Sequence, residues 1–207
     1  MIGNQYLSSI PLSESDRLLH TWGFDLTAEY ASIVNAVDTH SSVAVELATG
    51  SGRMCAVLAG MFDTVITGDR SLVDHTRALS RIPEPFRHRI QYSVLDMEQL
   101  PFRDGNIPLL FCMNTLHEVA SPVQCLRELI RVVHPNGTLV VGDFNKKGFD
   151  TMQRIHEIVY HNDHEEGSIS SHTIEEILTS SFTSVTTLDT ALNISFIASG
   201  KRSTPYF

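Results

Sequence analysis

The stretch VAVELATGSGRMCAVLAGMF, residues 43–62, constrains this chain more than any other. Its first five residues, apolar except for Glu46, have the length and β-branched content of a buried strand. Its last ten carry Met54, Val57, Leu58 and Met61 at the three- and four-residue spacing of a helix face. Between them stand only small residues: Ala48, Thr49, Gly50, Ser51 and Gly52. Glycine accepts the positive φ of a tight strand-to-helix turn and lets a ligand come close to the backbone. Such a turn also directs the unpaired N–H groups of a helix start at whatever lies beyond the carboxyl end of the strand. A nucleotide-bearing ligand at the edge of a parallel sheet is the expectation.

The remaining chain repeats the alternation. Runs at 64–68 (TVITG), 90–94 (IQYSV), 107–113 (IPLLFCM) and 138–144 (TLVVGDF) read as strands. Residues 13–38 read as helical, with Thr27 as N-cap and Tyr30, Ile33, Val34 and Val37 on one stripe. A helix over 71–82 is closed by the prolines at 83 and 85. Another starts at Ser121 as cap, with Pro122 in its first turn, buries Val123, Leu126, Leu129, Ile130 and Val133, and ends at Pro135-Asn136-Gly137. Pro108 lacks an N–H, so it is expected at the first residue of its strand, outside the hydrogen-bonded ladder. Alternating strands and helices predict a parallel sheet covered on both faces. The end of the chain differs. Helices over 150–161 and 173–180, the latter with Thr173 and Glu176 as a capping box, precede TSVTTLD and LNISFIAS. The link between those two strands is too short for a parallel crossover, so one strand near an edge runs backwards.

Composition narrows the function. The 207 residues are 42% hydrophobic, enough for one domain with an ordinary core. The net charge of −9 and the scattered Lys and Arg oppose binding to a phosphate backbone, so no nucleic-acid partner is expected. No apolar run is long enough to cross a bilayer, and the first residues lack the basic start and apolar stretch of a secretory signal. Cys55, Cys112 and Cys125, odd in number and set in apolar surroundings, read as reduced thiols of a cytoplasmic protein.

The turn is not the usual dinucleotide fingerprint. Aligned on Gly50 and Gly52, its third glycine position is Cys55, where close packing around a pyrophosphate needs glycine. Glu46 would repel a diphosphate and suits a ligand with a cationic group. Both disfavour an NAD-dependent oxidoreductase.

VELATGSGR, with Glu46, Ala48, Gly50 and Gly52, resembles the first motif E/D-x-G-x-G-x-G of class I S-adenosylmethionine-dependent methyltransferases, of the small type 11/25-like kind. Ala48 is the departure, where glycine is usual. TGDRS, LDMEQLPFRDGNIPLLFCMNTLHEV and LRELIRVVHPNGTLVVGDF follow in the family's order, and the likeness covers about residues 41–145. The resemblance implies an α/β, Rossmann-like, doubly wound sheet of seven mostly parallel strands. It implies a main domain over 41–207, an N-terminal helical lid over 1–40, and a substrate-side insertion over 145–175. S-adenosylmethionine is the implied cofactor and S-adenosylhomocysteine the product. Glu46 would reach the methionine amino group, and Ala48, Thr49, Gly50 and Gly52 would form the loop around the cofactor. Asp69, with Arg70 beside it, would hold the ribose, Asp96 and Met97 the adenine, and Asn114 the floor near the methionine part.

Methyl transfer from a sulfonium needs no protein nucleophile. It needs donor and acceptor held in line, and water kept out. If the acceptor must lose a proton, His117 or Asp143 at the ends of the fourth and fifth strands are the candidate catalytic groups, with Asn145 as a further acceptor contact. The acidic charge, and N-T-L-H in place of N-P-P-Y after the fourth strand, point to a small-molecule acceptor. His156, His161 and His164 lie among acidic residues, but a five-residue step from His156 to His161 leaves one helix face, so no metal site is expected there. Tyr6, His20, Trp22 and Phe24 are the aromatic groups a lid would use. The alternative is a non-catalytic adenosyl-binding subunit or sensor on the same fold, or aminopropyl transfer.

Overall fold

Seven strands form one sheet: β1 (Val43–Leu47), β2 (Thr64–Asp69), β3 (Ile90–Val94), β4 (Ile107–Met113), β5 (Val133–Phe144), β6 (Phe182–Asp189) and β7 (Asn193–Lys201). Their order in space is β3-β2-β1-β4-β5-β7-β6 in the computed structural model, which describes residues 3–203. The pairs from β3 across to β5 are parallel. β7 runs antiparallel to both β5 and β6, so the single reversed strand lies one place in from the edge, as the short 182–201 hairpin predicts. The helices are α1 (Asn4–Leu7), α2 (Glu14–Thr21), α3 (Leu26–Asn35), α4 (Arg53–Ala59), α5 (Leu72–Arg81), α6 (Pro122–Val132), α7 (Lys146–Ile155) and α8 (Ser171–Ser181). A 3-10 turn spans Glu84–Arg89, and a π-helical turn, His156–Tyr160, extends α7.

β4 explains why the run IPLLFCM is apolar throughout. Leu110 and Cys112 point into a core with Leu126, Leu129, Ile130, Leu178 and Phe196, under α6 and α8. Leu109, Phe111 and Met113 point the other way, against Val34, Val57, Leu58 and Phe62 of the α3–α4 layer. Alternate residues of one strand thus fill two cores. A third, smaller cluster of Leu19, Leu26, Phe144, Met152, Ile155 and Leu192 ties the N-terminal helices to α7.

Local departures from the sequence reading have local causes. The helix expected over 13–38 is broken into α2 and α3 at Gly23, which sits at φ 82°. Asp25, not Thr27, caps α3, accepting from the Ala28 N–H at 2.9 Å, and Thr27 is buried. Ser121 makes no capping bond, although Pro122 does open α6. Ser170, not Thr173, caps α8. β5 begins directly at Val133, so Pro135-Asn136-Gly137 lies inside the strand. Pro108 is the second residue of β4, in a register shift between Ile107 and Leu109 that spares its missing N–H.

Candidate active site

The turn after β1 carries three positive φ values, Ala48 at 62°, Gly50 at 47° and Gly52 at 78°. Ala48 adopts the left-handed conformation despite its methyl group, at a strain of about 1 kcal/mol. Neighbouring strand ends hold the turn. The N–H groups of Ala48 and Thr49 donate to Gly68 O at 2.8 and 3.2 Å, and the Thr49 and Thr67 hydroxyls are 2.6 Å apart. Gly52 has another task. A Cβ there would stand 2.5 Å from Ala78 Cα, so glycine lets α4 and α5 touch. Gly52 itself does not line the cleft, although Ser51 and Arg53 on either side of it do.

The turn opens onto a cleft of about 620 Å³ at the carboxyl ends of β1, β2 and β4. Glu46, Ala48, Thr49, Gly50, Asp69, Arg70, Asp96, Met97 and Asn114 all line it. Asp69 braces the turn, its Oδ2 accepting from Gly50 N–H at 2.8 Å and its Oδ1 from Arg70 N–H at 2.7 Å. A carboxylate accepts about four hydrogen bonds, so Asp69 retains capacity toward a diol. Asp96 accepts from the Glu98 N–H at 2.9 Å in a turn, and Met97 is buried beside it.

Glu46 is buried at the floor, accepting from the Thr67 hydroxyl. Burial, aided by the nearby Asp69 charge and opposed by the Thr67 hydrogen bond, pushes its carboxyl up to about 7. None of these influences is cationic, so a ligand with an ammonium group would supply the missing counter-charge. Asn114, at φ 52°, donates from Nδ2 to the Tyr30 hydroxyl at 2.8 Å, while its buried Oδ1 has no partner. An orphaned buried acceptor beside a buried carboxylate fits a ligand that brings N–H or O–H donors.

Several cleft residues were not legible in the sequence. Tyr30 reads as part of an apolar helix stripe. Its hydroxyl, which needs a partner once buried, was the available signal. Ser15 and Tyr30 line the cleft from the N-terminal region, whereas Tyr6, His20, Trp22 and Phe24 do not. Trp22 instead lies under the Arg154 guanidinium at 4.3 Å, and Phe24 under the Lys147 ammonium at 4.6 Å. α2 is fastened by the buried carboxylate of Asp16, which pairs with Arg53 at 2.7 Å and with Arg81. Arg81 also donates to Ser51 O at 3.0 Å, so the clamp reaches the glycine turn itself.

His117 and Asp143 come together behind the cleft wall, with Nδ1 and Oδ1 2.6 Å apart. Asp143 also accepts from the backbone N–H groups of His117 and Phe144, at 3.1 and 2.9 Å. Its carboxylate is therefore engaged by His117 and by two backbone N–H groups. Burial lowers the pKa of His117, but its hydrogen bonds to Asp143 and Glu118 outweigh that and set it at about 9. Asn145 does not line the cleft. It caps α7, accepting from Gly148 N–H at 2.9 Å. His156 and His164 line the far end of the cleft, while His161, the left-handed residue after the π-helical turn, is exposed outside it.

Residues 45–141 match the family model described as a methyltransferase domain. The ubiquinone/menaquinone biosynthesis C-methyltransferase of Shewanella sediminis is 24% identical over 120 residues, 55% of this chain and 47% of that protein. The malonyl-[acyl-carrier protein] O-methyltransferase of a Marinomonas species is 26% identical over 131 residues, 56% of this chain and 47% of that protein. The chain thus spans about half the length of these relatives. A crystal structure of a methyltransferase from Thermotoga maritima superposes with a TM-score of 0.62 at 17% identity, covering 91% of this chain and 95% of that one. A glycine turn on β1 and a seven-stranded sheet with one reversed strand agree with that match: residues 45–141 carry a methyltransferase domain, set in the fold of S-adenosylmethionine-dependent methyltransferases.

Proposed function

We propose that this protein transfers a methyl group from S-adenosylmethionine to a small-molecule acceptor held at the His164 end of the cleft. The observation that carries the cofactor assignment is Glu46, a buried carboxylate without a cation, set below a turn of positive φ and in line with Asp69 and Asp96. In this reading Glu46 pairs with the methionine ammonium, and Asn114 Oδ1 accepts a donor from the same end. Asp69 holds the ribose hydroxyls with the capacity left after bracing the turn. Met97 covers the adenine, and Asp96 accepts from its amino group. The bound cofactor supplies a methyl group already activated on a sulfonium. The chain supplies position: Tyr30 and Asn114 fix the floor, while Ser15 of α2 and Tyr160 of the π-helical turn, whose hydroxyls are 3.3 Å apart, narrow the mouth. Residues 1–40 then act as a lid, and 145–175 as the acceptor-side insertion. In this reading His117 is a positioning group: Asp143 engages its Nδ1 at 2.6 Å and its Nε2 faces His164 at 3.2 Å, and catalysis is by positioning and water exclusion.

The test is a calorimetric titration of the purified protein with S-adenosylmethionine, S-adenosylhomocysteine and NAD. Binding of the first two and not the third is expected, and the reverse would overturn the reading. Label transfer from the methyl-labelled cofactor to a panel of small acceptors then separates turnover from mere binding. Retention of label on the cofactor across that panel would favour an adenosyl-binding subunit.

A further inference from the structure

The segment that the sequence presents as three scattered histidines is redistributed by the fold. His161 stays outside, and His164 is carried in to meet His117 and Glu118, 47 and 46 positions earlier. His117 Nε2 lies 3.2 Å from His164 Nε2 and 3.6 Å from Glu118 Oε1. The three ligand atoms lie within 4.8 Å of one another. We propose that His117 Nε2, His164 Nε2 and the Glu118 carboxylate form a binding site for one divalent cation of the zinc type, opening onto the acceptor end of the cleft.

The geometry that places the two imidazoles in direct contact also suits an ion held between them. Two imidazole nitrogens bound at ~2.0–2.1 Å to a common ion stand ~3.3 Å apart in a tetrahedron, and here they stand 3.2 Å apart. His117 is already oriented for this. Asp143 fixes its Nδ1 at 2.6 Å and so turns Nε2 toward the cleft, the carboxylate–histidine arrangement that orients metal ligands. Asp143 is itself held by two backbone N–H groups. Phe149 meets the His117 ring edge-on at 5.2 Å and keeps its other side apolar.

His164 is placed with equal care. Its backbone N–H donates to Gln153 Oε1 at 2.7 Å, and Gln153 Nε2 in turn bonds Glu157 and Asp163. Gly167, at φ 73°, lets the returning chain pass over His117, where a Cβ would stand 2.3 Å from the His117 carbonyl oxygen. The Lys146–Glu166 pair at 3.0 Å fastens the same loop. His164 Nδ1 is buried without a partner, so the ring is fixed by what its Nε2 faces. His156, whose Nδ1 lies 3.1 Å from Asn162 Oδ1, packs against His164 with ring centroids 4.5 Å apart and planes tilted by 55°, and completes the wall.

Two imidazoles and one carboxylate favour zinc, cobalt or ferrous iron over magnesium or calcium, which prefer all-oxygen sites. Three protein ligands leave a coordination position open, as in catalytic zinc sites. Glu118 and His164 line the same cleft as the cofactor turn, so that position faces the acceptor space. The ion would serve as an anchor for an oxygen-bearing acceptor, a hydroxyl or carboxylate, and would lower the pKa of a bound hydroxyl. The anchoring role rests on the methyl-transfer reading, whereas the ion site itself does not.

The test uses the metal alone. The chelator-treated 207-residue chain is titrated with Co²⁺ and followed by its visible ligand-field bands, with Zn²⁺ as competitor. One Co²⁺ per chain, displaced by Zn²⁺, is expected. His164→Gln and Glu118→Gln should each weaken Co²⁺ binding at least about tenfold, and Asp143→Asn by about 10–100-fold through loss of the orienting contact. His161→Gln, outside the cluster, should bind as the parent does. Glu118 is exposed, so its variant retains the fold whatever happens at His164. Equal Co²⁺ binding by parent, His164→Gln and Glu118→Gln would overturn the proposal, as would the absence of ligand-field bands in the parent. S-adenosylhomocysteine binding measured on the same samples keeps the two readings apart. Cobalt bound with no cofactor bound supports the ion site and removes the methyl-transfer reading.

Discussion

At the scale of single residues, Glu46 carries the sharpest expectation. Burial pushes its carboxyl from the ordinary 4.5 up to about 7 in the folded chain. The folded state therefore binds more protons than the unfolded state between those values, and stability falls as pH rises through that window. Glu46→Gln should remove this fall, so that the variant melts higher than the parent above pH 7. The same variant should lose S-adenosylhomocysteine affinity by about ten- to a hundredfold, the worth of a charge-assisted hydrogen bond. Parent affinity should rise as pH passes 7, because only the ionised carboxylate pairs with an ammonium. Melting curves and titration calorimetry across pH 5–9 check all three. Glu46 was legible in the sequence because a carboxylate in an apolar strand just before a glycine turn has few structural uses. The His117–Asp143 pair was legible as two residues but not as a contact, since the side chain of Asp143 turns sideways to a histidine from the neighbouring strand end.

Among the elements, α2 and α4 decide the shape of the cleft mouth. The Asp16 carboxylate is desolvated, but Arg53 and Arg81 outweigh that and hold its pKa well below the usual carboxylate range. Its contribution to stability is therefore present above the ordinary aspartate value and lost only as pH falls through its depressed folded one. Asp16→Ala leaves two buried guanidinium groups uncompensated, and a loss of about 3 kcal/mol or more is expected in urea unfolding at neutral pH. Protease cleavage in the 10–25 region should accelerate in the same variant. Gly52→Ala tests the contact between α4 and α5. Its positive φ and the 2.5 Å approach to Ala78 Cα predict a destabilisation of about 1–3 kcal/mol, read as a lower melting temperature. None of this was visible in the spacing of residues. The amphipathic stripe of 13–38 predicts helix, and the break at Gly23 follows from φ 82°, a choice the pattern alone does not force.

For the molecule as a whole, the two-sided burial of the sheet makes the cysteines inert. Cys55 and Cys112 are wholly buried thiols whose pKa values burial raises well above 9.0, and Cys125 is buried as well. Alkylation at pH 8 should leave all three unmodified in the native protein and modify all three in denaturant, a difference mass spectrometry reads directly. The order of strands and helices, the reversed strand next to the edge and the ligand turn were determined by the sequence alone. They depend on local periodicity, on glycine, and on a link too short for a parallel crossover, and each is a property of a few neighbouring residues. The tertiary structure alone decided that Tyr30 meets Asn114 across 84 positions, that Asp16 clamps Arg81 across 65, and that His164 rather than His161 reaches His117. Such contacts depend on how independently folded elements pack and on where a π-helical turn and a glycine release the chain, and no spacing between neighbours encodes them.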